Sequence, residues 1–194
     1  MTVPQEKLLI SVEDYLESEK HSNVRYEYLD GQVFAMAGES KRHNRIAGKL
    51  VQLFGNHLEN TNYDVYFESV KMKTSATKYY YPDVVVTCDE NDEDDYNIEN
   101  AVLVIEVLSP STERIDRAEK LIAYKKMPSL RECILTYENR VFVQIHRKID
   151  AETWAVENYY DLESMIKLDS IDYEISISEV YRNIVFPPVE EDLS

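Results

Sequence analysis

The sequence predicts a mixed α/β protein in which a long helix, three strands, a second helix and a further strand follow one another. Three observations carry this. Residues 40–60 repeat apolar side chains at helical spacing. Residues 101–108, AVLVIEVL, are almost continuously apolar, as a central strand covered on both faces should be. The segment SPSTERIDRAEKLIAYKKMP then separates that strand from another strand-like stretch, ECILTY, and strand–helix–strand alternation implies layered α/β packing.

In chain order, SVEDYLESEK (11–20) predicts a short helix capped by Ser11, with Asp14 close to a capping-box position. RYEYLDGQVFAMAG reads as a hairpin. Tyr26 and Tyr28 alternate on one arm and Val33 and Ala35 on the other, around an Asp30-Gly31 turn. In the long helix, Ile46, Ala47, Leu50, Val51, Phe54 and Leu58 form the apolar stripe, while Arg42, Arg45 and Lys49 fall on another face. VYFESVKMK (65–73) and YYYPDVVVTC (79–88) are expected as two strands, and AVLVIEVL as the third. The next helix can be capped by Ser109, Ser111 or Thr112 and is stopped by Pro128. Strands at 132–137 and 141–148 flank Glu138-Asn139-Arg140, and one or two more strands and a short helix near 176–183 complete the chain.

The length of 194 residues suits one domain. Its expected parts are an arm (1–39), a core (40–148) and a C-terminal extension (149–194). No apolar run nears the ~18 residues of a membrane span. The opening MTVPQEKLLISVEDYLESEK lacks signal-peptide design, so a cytoplasmic, membrane-free protein is expected. Cys88 and Cys133 have no CxxC spacing and are expected as buried reduced thiols.

A formal charge of −16 at first argues against a polyanionic partner. Its distribution weakens that argument. DENDEDD (89–95) holds six acids and the EED at 190–192 three more, leaving about −7 for the rest. Arg42, Arg45, Lys49, Lys71, Lys73, Arg114, Arg117 and Lys120 fall on the remaining elements. The net charge therefore does not by itself exclude a nucleic-acid partner.

Two carboxylates stand in apolar strand contexts. Asp83 precedes Val84, Val85 and Val86, and Glu106 lies between Ile105 and Val107. Burying either is costly unless it is paired or binds a metal. Two in successive strands suggest a shared site, and hard oxygen ligands suit Mg²⁺ or Mn²⁺. Salt-bridged or strand-end acids are the alternative. Asp116, Lys120 and Tyr124 recur at i, i+4 and i+8 along one helix face, which lets Lys120 point towards the carboxylates. An exposed lysine paired with Asp116 is the alternative there. Gly-rich phosphate loops, HExxH and GxSxG patterns are missing from the sequence, which disfavours other hydrolytic chemistries.

Pro82-Asp83, VLVIEVLSPST (102–112), Asp116, Lys120 and Tyr124 together resemble the PD-(D/E)XK nuclease superfamily. YEYLDGQVFAMAGES followed by His43 adds a narrower similarity, to the Uma-two family of restriction-endonuclease-like proteins. The resemblance implies a restriction-endonuclease-like αβββαβ core with a mixed sheet flanked by helices. It also implies a divalent metal and phosphodiester hydrolysis in DNA. Asp83 and Glu106 would be the metal-binding pair, with the Val107 carbonyl as a further ligand. The superfamily's lysine two residues after the acid is here Leu108. Lys120 would then supply the ammonium from the helix, its long stem allowing that reach, held by Tyr124 and Asp116. The alternative is a catalytically degenerate nuclease fold serving as a nucleic-acid or protein interaction domain.

Glu27 matches an acid in the family's opening and is a candidate third carboxylate, or else an outward strand residue. His43 is a candidate phosphate contact or proton relay, or else a cap. Ser109 to Thr112, at a helix start, could donate to phosphate. Lys71 and Lys73 could steer the backbone of a nucleic acid, or be edge-strand lysines. Double-strand cutting would call for a homodimer.

Overall fold

The computed structural model describes residues 9–88, 94–110 and 116–188. The acidic segment 89–93, the stretch 111–115 (with Ser111, Thr112 and Arg114) and the tail from 189 lie outside them.

Helix α1 (Val12–Glu19) starts at Ser11, whose hydroxyl accepts the Asp14 amide at 3.1 Å. This satisfies a donor that a helix start otherwise leaves unpaired. Strands β1 (Tyr26–Leu29) and β2 (Gln32–Ala35) form the expected hairpin. Its turn residues Asp30 and Gly31 have φ of 49° and 91°, as a two-residue hairpin turn requires. Helix α2 (Lys41–Leu58) is capped by Ser40. It buries Ile46, Leu50 and Phe54 on one face, as the stripe predicts, while Val51 sits half-buried at its edge.

The two expected strands that follow are each broken in two, and this sets the architecture. VYFESVKMK divides into β3 (Asp64–Phe67) and β4 (Lys71–Ser75), hinged where Glu68 adopts φ of 50°. YYYPDVVVTC divides into β5 (Lys78–Tyr80) and β6 (Val84–Thr87), interrupted at Tyr81-Pro82-Asp83. Proline has no N–H for the ladder, so the strand stops there. Strands β3 and β6 pair with each other in one sheet, and the β4–β5 hairpin swings out into another. A continuous apolar run conceals such a switch, since both halves have strand character.

The short β7 (Asn97–Ile98) and the long β8 (Ala101–Leu108) come next. A π-helical turn (Asp116–Lys120) leads into α3 (Leu121–Lys125). Then come β9 (Glu132–Tyr137) and β10 (Val143–Lys148), which begins two residues later than expected. Three further strands follow rather than one or two: β11 (Trp154–Tyr159), β12 (Met165–Leu168) and β13 (Tyr173–Ser176), before α4 (Ile177–Val180).

The six-stranded sheet runs β11-β10-β9-β8-β6-β3 and the five-stranded sheet β2-β1-β5-β4-β7, while β12 and β13 pair alone. Strand β8 is central, antiparallel to β6 and parallel to β9, and buried along its whole length. The order α2, β3, β6, β8, α3, β9 is the expected αβββαβ arrangement. On one face of β8, Leu103 and Ile105 pack with α2 and the β12–β13 hairpin. On the other, Val104 and Leu108 pack with Tyr124, Met72 and Tyr80 from α3 and the smaller sheet. Cys133 is buried, but Cys88 is only half-buried, at the end of a strand; both are free thiols.

Candidate active site

Asp83 lies in the bend before β6, not inside a strand as expected, because Pro82 has ended the preceding one. The β6–β8 ladder ends where Val84 pairs with Ile105, so Asp83 and Glu106 are the next residues along the two strands. Asp83 Oδ2 accepts the Val107 N–H at 2.6 Å and stands 3.1 Å from His43 Nε2. In an extended strand a residue's N–H and C=O leave on the same side, so the Val107 carbonyl also points towards the Asp83 edge.

His43 is set by the first turn of α2 and is 3% exposed. Burial alone would depress its imidazolium. The hydrogen bond and charge of Asp83, with Glu39 and Glu138 beyond it, outweigh burial and hold His43 above its ordinary pKa.

Glu106 sits in β8 at 3% exposure, a cost that pairing must offset. Its Oε1 accepts the Tyr124 hydroxyl at 2.5 Å and lies 3.5 Å from Lys120 Nζ. Lys120 Nζ also stands 2.9 Å from Glu27 Oε1, which in turn accepts the Tyr81 amide at 3.3 Å. Glu27 therefore faces inward from β1, and the outward-facing alternative does not hold. Tyr124 is fully buried, edge-on to Tyr80, and its hydroxyl donates to the same Glu106 oxygen that faces Lys120. The side chain of Asp116 lies outside the described residues, as do Ser111 and Thr112; Ser109 is buried.

Leu108, two residues beyond Glu106 and on the same face of β8, is fully buried in the cluster that contains Tyr124 and Leu135. An ammonium at that position would lie in apolar core, whereas Lys120 approaches Glu106 from the helix.

Glu138 was not singled out from the sequence. It is 5% exposed, accepts a hydrogen bond from Ser40 Oγ, and donates its own amide to the Leu108 carbonyl at 3.2 Å. A signal did exist. Glu138 follows the apolar strand ECILTY, which runs parallel to β8, and the carboxyl ends of parallel strands are where sites gather. The mouth of the site is a cavity of about 320 Å³, lined by Arg25, Gly38, Lys41, Glu68 and Asp83 among others. Arg25 and Lys41 are thus the cations at the mouth. Several expected flanking cations are engaged elsewhere: Arg45 binds the Asn183 carbonyl, Lys49 binds Gln52 and Lys73 pairs with Glu99. Lys71 lies 5.6 Å above the Tyr81 ring.

The donor set is all oxygen. Among the described residues, the ammonium of Lys120 stands against Glu27 and Glu106, and His43 stands against Asp83 and Glu39. Among the described residues no three His, Cys, Asp or Glu side chains form a closed cage. A hydrated Mg²⁺ or Mn²⁺ needs no cage, since one or two carboxylates suffice when waters and a substrate phosphate complete the shell. The Asp83–Glu106 pair fits that requirement.

Residues 12–178 match the model of the Uma2 (Uma-two) family, whose description reads "putative restriction endonuclease". An uncharacterized protein of Synechocystis sp. (strain ATCC 27184 / PCC 6803 / Kazusa), slr1290, is 36% identical over 179 residues, spanning 91% of this chain and 94% of its own. A second uncharacterized protein from that strain, sll1609, is 28% identical over 158 residues, 79% of this chain and 89% of its own. The crystal structure of "a putative nuclease belonging to DUF820" from Anabaena variabilis ATCC 29413 superposes with a TM-score of 0.71 at 16% identity, covering 89% of this chain and 97% of that one. The fold is therefore a nuclease-like one.

Proposed function

Because the chain belongs to the Uma2 family of restriction-endonuclease-like proteins, we propose that it is a divalent-metal-dependent endonuclease that hydrolyses phosphodiester bonds in DNA. The observation that carries this reading is Asp83 bonded to the amide of Val107, the residue after Glu106, with the Lys120 ammonium against Glu106. Asp83 and Glu106 would hold Mg²⁺ or Mn²⁺, with the Val107 carbonyl beside them. When bound, the ion would polarise a phosphoryl oxygen and lower the pKa of a coordinated water.

The chain's own groups have separable tasks. Lys120 offsets the charge that develops on the phosphate and orients the attacking water, an effect worth several kcal/mol in preorganised sites. Glu27 fixes the ammonium at the place where it acts. Tyr124 holds one oxygen of Glu106 and so fixes the orientation of that carboxylate. His43, donating from Nε2, keeps the Asp83 carboxylate turned towards Glu106, and Val107 N–H braces the same oxygen. Arg25 and Lys41 at the mouth receive the flanking phosphates. Cutting both strands would require two copies of the chain.

Supercoiled plasmid, linear duplex and single-stranded DNA incubated with purified protein and Mg²⁺ or Mn²⁺ test this reading. Cleavage that disappears in Asp83→Ala supports it. Intact substrates under both ions, or an Asp83→Ala variant that cuts as well as the parent, would overturn it. The buried Leu108 favours one second reading, a nuclease fold that acts only as an interaction domain. Calorimetry separates the two, since the enzyme should bind Mn²⁺ with a response lost in Glu106→Gln.

A further inference from the structure

We propose that the face formed by β10 and β11 beside α3 is a binding track for a single-stranded nucleic-acid segment. The proposal rests on the nuclease reading only for the choice of nucleic acid among anionic partners.

The register defines the face. Lys148 pairs with Trp154, His146 with Val156 and Gln144 with Asn158, so these side chains share one side of the sheet. One step further along, the rings of Phe142 and Tyr160 meet at 5.0 Å. The intervening positions carry the acids: Glu157 binds Arg147, which also binds Glu132, on the opposite side. The described positions of β10 and β11 on this side therefore present no carboxylate, in a chain of net charge −16.

Cations gather along it and sit over rings. Lys125 and Lys148 lie 5.4 and 5.9 Å from the Trp154 centroid. At the other end Arg140 is 3.8 Å above Tyr137, and Arg117 is 5.8 Å from Phe142. Around Trp154 the surface opens into a groove of about 850 Å³, lined by Lys125, Lys126, Lys148 and one carboxylate, Glu152, with Ile122 and Pro128. Tyr160 is 68% exposed at the far end. Tyr137 and Phe142 are buried beneath Arg140 and Arg117, so the accessible rings are Trp154 and Tyr160; cations beside such rings bind phosphates and unstacked bases together, without sequence preference.

Length and direction also agree. From Trp154 to Tyr160 the strand covers about 20 Å, room for roughly three to six nucleotides at 3.4 Å or more per phosphate. The Tyr137 end adjoins Glu138, whose amide bonds Leu108, so the track runs towards the candidate site. A strand lying on it would be delivered to the carboxylates from one side.

Trp154 is the chain's single tryptophan, so its fluorescence reports the track directly. Full-length protein is titrated with a dT12 oligonucleotide in EDTA at low salt, which removes any contribution from metal or cleavage. Quenching that weakens as salt rises is expected, with affinity reduced about tenfold or more in Arg140→Glu and in Lys148→Glu. Arg140 is exposed, so its variant reports on binding even if Lys148→Glu, which loses bonds to the Met127 and Pro128 carbonyls, fails to fold. Unchanged affinity in a folded Arg140→Glu variant overturns the proposal. Equal quenching by polyglutamate also overturns it, in favour of an acidic peptide. Quenching without cleavage would leave the track standing and the nuclease reading fallen; cleavage without quenching would do the reverse.

Discussion

The Lys120 ammonium lies 2.9 Å from Glu27 Oε1, joining a helix behind the large sheet to a hairpin of the small one. Both side chains are about nine-tenths buried, and Glu106 shares the same cation. Removing one partner of such a pair leaves an uncompensated buried charge. Lys120→Met should therefore cost about 3–5 kcal/mol in denaturant melts and abolish cleavage. Adding Glu27→Gln should restore much of that stability but no cleavage. A double variant that cuts would show that the ammonium is structural only.

Asp83→Asn and Glu106→Gln change charge with little change of shape. Each should retain a cooperative melt and lose cleavage by on the order of 100-fold or more. Their Mn²⁺ binding heat should vanish. A normal binding isotherm in both variants would place any ion elsewhere.

Leu108→Lys recreates the superfamily spacing inside an apolar cluster. Burying that ammonium should destabilise the protein by a few kcal/mol. Placed in the Lys120→Met background, it should return part of the cleavage, because the two stems reach Glu106 on one face of β8. Recovery of stability without any return of activity would argue that Lys120 acts from a position Leu108 cannot serve.

His146 supplies a pH test away from the carboxylates. Burial, together with the nearby charges of Lys125 and Arg117, pushes its pKa down to about 4. Between about 6.5 and 4 the unfolded chain takes up a proton that the folded chain refuses. The stability it contributes is complete above 6.5 and is lost as pH falls towards 4, by up to about 3 kcal/mol. Denaturant melts at pH 7.5 and pH 5 should differ less in His146→Gln than in the parent. An identical difference in both proteins would refute the assignment.

Tyr124→Phe removes the hydroxyl that donates to the buried Glu106 carboxylate. A loss of about 1.5–3 kcal/mol is expected, with cleavage reduced but not abolished. No change in either quantity would mean that the Tyr124 hydroxyl does not hold Glu106.

Much of this was legible in the residues. The Asp30-Gly31 turn, the α2 stripe and the doubly covered β8 follow from periodicity and turn chemistry, which act locally. The pairing of Lys120 with Glu27 could not be read that way, because it depends on the small sheet closing over α3. The broken strands were missed for the related reason that VYFESVKMK and YYYPDVVVTC keep strand character on both sides of the break. Only Pro82 marked the second break, and nothing but a positive φ at Glu68 marks the first. Glu138 was overlooked because its role comes from the parallel register of β8 and β9, which a single chain segment does not display.

The double exchange of strands between sheets has a consequence for dissection of the protein. With β4 and β5 donated to the sheet that holds β1, the hairpin carrying Glu27 is stitched to the strands that carry Asp83 and Glu106. A fragment starting at α2 would strip β5 of one of its two neighbours and leave Lys120 with one carboxylate fewer. A truncation at residue 39 would therefore remove part of the candidate site together with the arm.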